Sequence, residues 1–270
     1  MNNNAIGVFD SGLGGLSAVK QMLFAMPNEN IIYFGDTGRV PYGNRSNDTI
    51  RKYALQDANF LLTHNVKMVV AACGTVSSVA PDLESQLRVP YTGVVLPTCY
   101  TALNVSKNGK IGVIGTTATI NSHSYKKRIQ EKNDKFEVFE QDCPLFVPLV
   151  ENGIIDRDDP IVKLVVEKYM ASLKDAGVDT VILGCTHYPI LKDAIADFMG
   201  EGVTLIDSGK ETALYVKKVL SENGIVNTSN TQGNADFFVS DTPDNFEKIA
   251  SLFLSKDMNN KATRINIEEF

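Results

Sequence analysis

Residues 69–75, Val-Val-Ala-Ala-Cys-Gly-Thr, and residues 181–187, Val-Ile-Leu-Gly-Cys-Thr-His, follow one local plan. Each is a short apolar run of strand length that stops at a cysteine followed by small or polar residues. A second pair precedes them. Residues 6–12, Ile-Gly-Val-Phe-Asp-Ser-Gly, are echoed by residues 111–117, Ile-Gly-Val-Ile-Gly-Thr-Thr. Each half of the chain thus has an early strand ending in a small-residue turn and a later strand ending in Cys-x-x. Such a repeat predicts two similar α/β halves facing each other. Generic α/β strands converging on the same pattern are the alternative.

Between these runs, short β-branched segments alternate with helical patterns. Strands are expected at Ile6–Phe9, Ile31–Phe34, Met68–Ala72, Ile111–Ile114, Val181–Leu183 and Phe237–Val239, with a further one suggested by Val94 and Val95. Helices are expected at Leu16–Met26, at Ile50–Leu62 behind the capping residues Ser46 to Thr49, at Asn245–Leu254, and after Tyr188-Pro189. The segment from Asp159 to Gly177 has clear ends: Asp159 caps, Pro160 suits the first helical position, and Gly177 suits the stop. Residues 223–235 read as a loop, and the tail beyond Ser255 as polar and weakly specified. Alternation of this kind predicts an α/β fold of parallel sheets covered by helices on both faces.

With 270 residues, 43% hydrophobic and 21% charged, the chain is long enough for one large α/β domain or two small ones, with the composition of an ordinary globular protein. A net charge of −6 without a basic block argues against nucleic-acid and anionic-membrane partners. An anionic ligand must then be drawn in by local dipoles. The N-terminus lacks a basic segment followed by an apolar stretch, and no apolar run approaches the roughly 20 residues of a membrane span. A cytoplasmic location is expected, and with it four free thiols, Cys73, Cys99, Cys143 and Cys185. No CxxC or HxxxH spacing is present, so no metal is expected.

Cys73 stands where a strand stops and a helix begins, the position at which parallel sheets collect ligands. A helix N-terminus favours a thiolate, so its pKa is expected below about 8.5. A small buried hydrophobe is the bland alternative. Cys185 occupies the same context in the second half, and His187 behind it can hold a proton or orient a neighbour. Two matched thiols suit a symmetric task such as racemisation, in which one base removes an α-proton and another delivers a proton to the opposite face. Asp10-Ser11-Gly12-Leu13-Gly14-Gly15 is a tight turn that exposes backbone N–H groups to an anion, and Val40-Pro41-Tyr42-Gly43 is a rigid turn able to do the same. Glu151, before Asn152-Gly153, reads alone as a solvated residue. His64 and His123 carry no functional context.

These motifs together resemble the glutamate racemases of bacterial cell-wall synthesis, within the aspartate/glutamate racemase superfamily. The likeness extends from Ile6 to about Leu254. It rests on Phe9-Asp-Ser-Gly-Leu-Gly-Gly-Leu, Phe34-Gly-Asp-Thr-Gly-Arg-Val-Pro-Tyr-Gly, Ala72-Cys-Gly-Thr, Val150-Glu-Asn-Gly, Leu183-Gly-Cys-Thr-His-Tyr-Pro-Ile-Leu and Ile206-Asp-Ser-Gly. The resemblance implies two pseudo-symmetric domains, residues 1–97 with 207–270 and residues 98–206, with the active site between them. It implies cofactor-independent interconversion of L- and D-glutamate feeding peptidoglycan synthesis, in a homodimer. By the same resemblance, Cys73 and Cys185 are the catalytic thiols, Asp10 assists the first, and His187 and Glu151 assist the second. Asp10, Ser11, Pro41, Tyr42, Gly43, Gly74, Thr75, Thr117 and Thr186 occupy substrate-holding positions. The chain departs from the family at Gly74, where an asparagine amide would normally help hold the substrate. An aspartate racemase, another thiol-based isomerase, a thiol hydrolase using Cys185 and His187, and a non-catalytic amino-acid binder are the alternatives.

Overall fold

The computed structural model describes residues 3–254 and 261–270. The chain first lays down strands β1 (Ile6–Asp10), β2 (Ile31–Gly35), β3 (Met68–Ala71) and β4 (Tyr91–Gly93). It then builds β5 (Lys110–Gly115), β6 (Glu137–Asp142), β7 (Thr180–Leu183) and β8 (Thr204–Asp207), and closes with β9 (Ala235–Val239) and β10 (Thr263–Arg264). These form two parallel sheets, ordered β10-β9-β2-β1-β3-β4 and β6-β5-β7-β8. The run β2-β1-β3-β4 has the same order as β6-β5-β7-β8. The doubled sequence plan is therefore a doubled topology, with β1 matched to β5 and β3 to β7. Strands β1, β3 and β7 are buried along their whole length, which is why they read as continuous apolar runs rather than alternating ones.

The helices are α1 (Leu16–Ala25), α2 (Asn47–Thr63), α3 (Gly74–Val79), α4 (Val95–Val105), α5 (Thr117–Ser122), α6 (Ser124–Lys132), α7 (Phe146–Glu151), α8 (Pro160–Asp175), α9 (Lys192–Met199), α10 (Ser208–Glu222) and α11 (Pro243–Leu254). Their ends follow local chemistry. The Ser46 hydroxyl accepts the Thr49 N–H ahead of α2. Ahead of α8 the Asp159 carboxylate accepts the Ile161 N–H at 2.7 Å, and Gly177 behind it takes a left-handed φ of +70° that costs glycine little. Helices α1 and α10 pack on each other, and one apolar core runs from Tyr33 and Met68 of the first sheet to Leu183 of the second and Val216 of α10. No helix among the described residues is long and apolar enough to cross a membrane.

Two expectations need correction. Val94 and Val95 do not form a strand: the strand is Tyr91–Gly93, and Val95 opens α4. A short apolar pair at a strand–helix junction carries no period, and both residues are buried. The end of the chain is well specified where it is described. Thr263–Arg264 adds an edge strand beside β9, Ile267 is buried, and the Phe270 ring packs edge-on against Phe60 of α2. Residues 255–260 lie outside the described residues. Helix α4 also spans residue 97, the boundary expected between the two halves, and packs against α6, β7 and β8 as well as α10.

Candidate active site

Carboxyl ends of strands from both sheets open into one cavity of about 210 Å³. The turn after β1 supplies Ser11 and Gly12, and the loop after β2 supplies Val40, Pro41, Tyr42, Gly43 and Asn44. Cys73, Gly74 and Thr75 follow β3. From the second sheet come Thr116 and Thr117 after β5, Cys143 and Pro144 after β6, and Cys185, Thr186, His187 and Tyr188 after β7. Helix α7 adds Val147, Pro148 and Glu151. Of the residues expected to be catalytic or substrate-holding, all line this cavity except Asp10, which is buried and not on its wall. The two halves also touch through polar groups, with the Thr75 and Thr116 hydroxyls 3.0 Å apart.

Cys73 is the cap residue of α3 and is buried, with its sulfur 3.6 Å from the Ser11 hydroxyl. Its thiol is pushed up to about 12, because burial and the nearby Asp10 carboxylate outweigh the Val76 N–H and Ser11. This reverses the low pKa expected from the helix start. A six-residue helix offers a weak dipole, and a sulfur taken out of water loses more than that dipole returns. Asp10 has one oxygen accepting the Gly12 N–H at 3.1 Å, while its buried Oδ1 has no hydrogen-bond partner among the described residues. Burial raises its pKa, against the charge of His187 and the amides of Gly15, Gly12 and Ser11.

The second thiol has a different neighbourhood. His187 Nδ1 lies 3.9 Å from the Cys185 sulfur and 3.4 Å from the Thr186 hydroxyl, while Nε2 lies 3.1 Å from Glu151 Oε1. The ring packs edge-on against Phe253. Burial alone would drive His187 toward its neutral form, but hydrogen bonds and charge from Cys185 and Glu151 override it and raise the pKa to about 10. Glu151, which alone reads as solvated, is thus the partner that fixes the imidazole.

Beneath the Pro41–Gly43 turn lies a buried ionic cluster that the sequence reading missed. The Tyr42 hydroxyl lies within hydrogen-bond distance of both Asp36 and Asp57, the second at 3.0 Å, with one proton to donate between them. Arg39 reaches Asp36 at 2.6 Å and Asp57 at 3.0 Å, and its guanidinium covers the Tyr53 ring at 4.0 Å. Burial and the neighbouring Asp36 hold Asp57 well above the usual carboxylate range. One signal was available: Asp57 interrupts the apolar stripe Ile50, Ala54, Ala58 and Leu61 on α2, all of them buried. The apolar wall of Cys143, Pro144, Val147 and Pro148 was also missed, since no local pattern marks it. Among the described residues no group of three His, Cys, Asp or Glu side chains is placed to hold a metal ion.

The family model for Asp/Glu/Hydantoin racemase matches residues 18–216. The chain is 45% identical to a glutamate racemase of Geobacter metallireducens over 251 residues, 93% of this chain and 92% of the relative. It is 43% identical to a glutamate racemase of Enterococcus faecalis, over 98% of this chain and 97% of that one. Its fold superposes with a TM-score of 0.92 on the crystal structure of a Francisella tularensis glutamate racemase in complex with D-glutamate, at 38% identity and with both chains covered in full.

Proposed function

Since the chain belongs to the Asp/Glu/Hydantoin racemase family, we propose that it interconverts L- and D-glutamate, with Cys73 and Cys185 exchanging protons at the two faces of the α-carbon. One observation carries this reading. Two thiols at matching strand ends of two matching sheets line a single cavity, each beside its own ionisable partner.

The two partners are unlike, and that asymmetry gives the first step. At neutral pH Cys73 is a protonated donor, since its pKa is about 12. His187, raised to about 10, is an imidazolium at neutral pH and stands 3.9 Å from the Cys185 sulfur. Cys185 sulfur then takes the α-proton from one face. The C–H electron pair moves onto the α-carbon and its carboxylate, and Cys73 gives its proton to the opposite face. The reverse direction exchanges the roles. Ser11 and Asp10 serve Cys73, and His187 with Glu151 serves Cys185, in resetting the protons. Backbone N–H groups and the hydroxyls of Ser11, Thr75, Thr117 and Thr186 hold the charge that grows on the α-carboxylate. The Pro41–Tyr42–Gly43 turn receives the other carboxylate, its shape held by the Asp36–Arg39–Asp57 cluster. These local donors overcome the unfavourable net charge of −6.

D-glutamate made this way supplies peptidoglycan precursors, in the cytoplasm, by a homodimer that needs no cofactor and binds neither nucleic acid nor membrane. The reading includes two domains, residues 1–97 with 207–270 and residues 98–206. One feature favours a second reading. Cys185, His187 and Glu151 form a row like that of a thiol hydrolase, in which Cys73 would be dispensable and an acyl intermediate would form. Incubation with each enantiomer of glutamate and of aspartate in deuterium oxide decides among these. Racemisation predicts α-deuterium in the inverted glutamate. Faster turnover of aspartate would refute the substrate, and no deuterium incorporation would refute the reaction.

A further inference from the structure

Gly74 follows the first cysteine and opens α3. A Cβ built on it would lie 2.1 Å from the main-chain oxygen of Gly184 and 3.2 Å from its carbonyl carbon. Gly184 belongs to the other half of the molecule and directly precedes Cys185. Its N–H donates to the Ile114 carbonyl at 2.8 Å, which ties it to β5. Gly14 makes a related approach: its Cβ would lie 2.1 Å from the Thr186 hydroxyl oxygen and 2.6 Å from His187 Nδ1. The loop that carries the second thiol and its imidazole is therefore received by two residues without side chains. Neither glycine has a left-handed φ, so the need is for space rather than for an unusual torsion. The place that an asparagine side chain would enter at position 74 is filled by a carbonyl of the opposing half.

We propose that Gly74, supported by Gly14, is a positioning residue that sets the spacing of the Cys73 and Cys185 sulfurs across the substrate's α-carbon. The inference rests on the two-thiol reading above. Real Cβ atoms essentially never come within 3.0 Å of such neighbours, so any side chain at 74 displaces the cysteine-bearing backbones by about 0.9 Å or more. A misplacement of about 1 Å at a reacting centre can cost on the order of 100-fold in rate. Binding suffers less, because the Pro41–Tyr42–Gly43 turn that receives the other carboxylate lies on one half alone. Restoring an asparagine therefore harms the enzyme instead of repairing it.

The test compares the wild-type enzyme with Gly74→Ala, Gly74→Asn and Gly14→Ala by racemisation kinetics, deuterium incorporation and thermal melting followed by circular dichroism. In both Gly74 variants kcat falls about 100-fold in both directions while KM stays within about threefold. Melting falls by no more than about 10 °C, the strain of an overpacked interior, so the loss of kcat is not a loss of the fold. In deuterium oxide the thiolate that takes the α-proton exchanges it with solvent and returns a deuteron to the same face. Exchange without inversion therefore rises relative to racemisation, a change that a purely structural role would not produce. In Gly14→Ala the displaced groups are side-chain ends, and exchange at the Cys185 face drops more than at the Cys73 face. Wild-type kcat in Gly74→Ala, a lower KM with intact kcat in Gly74→Asn, or unfolding of both alanine variants overturns the inference. A wild-type enzyme that does not racemise glutamate overturns the parent reading instead.

Discussion

Replacing Glu151 with glutamine isolates the electrostatic support of the second base. The substitution keeps the shape of the side chain and removes one charge 3.1 Å from His187 Nε2. A hydrogen bond to a charged group contributes about 1.5–3 kcal/mol, but the Glu151 side chain is 33% exposed, so solvent screening brings the effect to the low end. About 1.4 kcal/mol corresponds to one pKa unit. His187, raised from 6.5 to about 10 in the intact protein, thus titrates about one unit lower in the variant. The sign follows from the charged form being the favoured one. Activity that needs the imidazolium is complete at neutral pH and is lost as pH rises through the folded-state value. The stability that the same proton confers is complete below the unfolded-state value near 6.5 and fades as pH climbs toward 10. The assay is kcat/KM against pH for each enantiomer, followed by circular dichroism. Glu151→Gln moves the alkaline limb about one unit toward neutral, with the larger effect where Cys185 is the acting base. Superimposable alkaline limbs for the two enzymes would refute the Cys185–His187–Glu151 coupling.

Cys73→Ser and Cys185→Ser each abolish racemisation, and near wild-type rates in both would end the two-thiol mechanism. Asp10→Asn lowers deuterium exchange at the Cys73 face by at least about tenfold, the equivalent of one 1.4 kcal/mol interaction, while sparing the Cys185 face; equal losses at both faces would show that Asp10 does not serve Cys73 selectively. Arg39→Ala strands the buried carboxylates of Asp36 and Asp57. Urea denaturation then shows a loss of about 3–5 kcal/mol together with a raised KM, and a loss below about 1 kcal/mol would mean that the cluster does not brace the substrate turn.

Local signals were legible and tertiary ones were not. Helix α8 could be bounded because Asp159, Pro160 and Gly177 act on their own neighbours within a few residues. Strand ends at Cys73 and Cys185 could be placed because apolar runs stop there. Val94 and Val95 misled because two apolar residues have no period to read. The last residues misled because Ile267 and Phe270 acquire meaning only against α2. Asp57 could have been noticed as a carboxylate in an apolar stripe, but its partners Asp36, Arg39 and Tyr42 come from another loop.

Read as a bare string of residues, the chain already contains its reagents, its strand ends and its doubled plan, because these depend on neighbours a few positions away. Folding added everything that is a sum over distant groups. The Cys73 thiol rose instead of falling because burial and Asp10 act through space. Glu151 gained a role because His187, 36 residues later, came to rest beside it. Position 74 proved to be filled because a carbonyl from the other half arrived there.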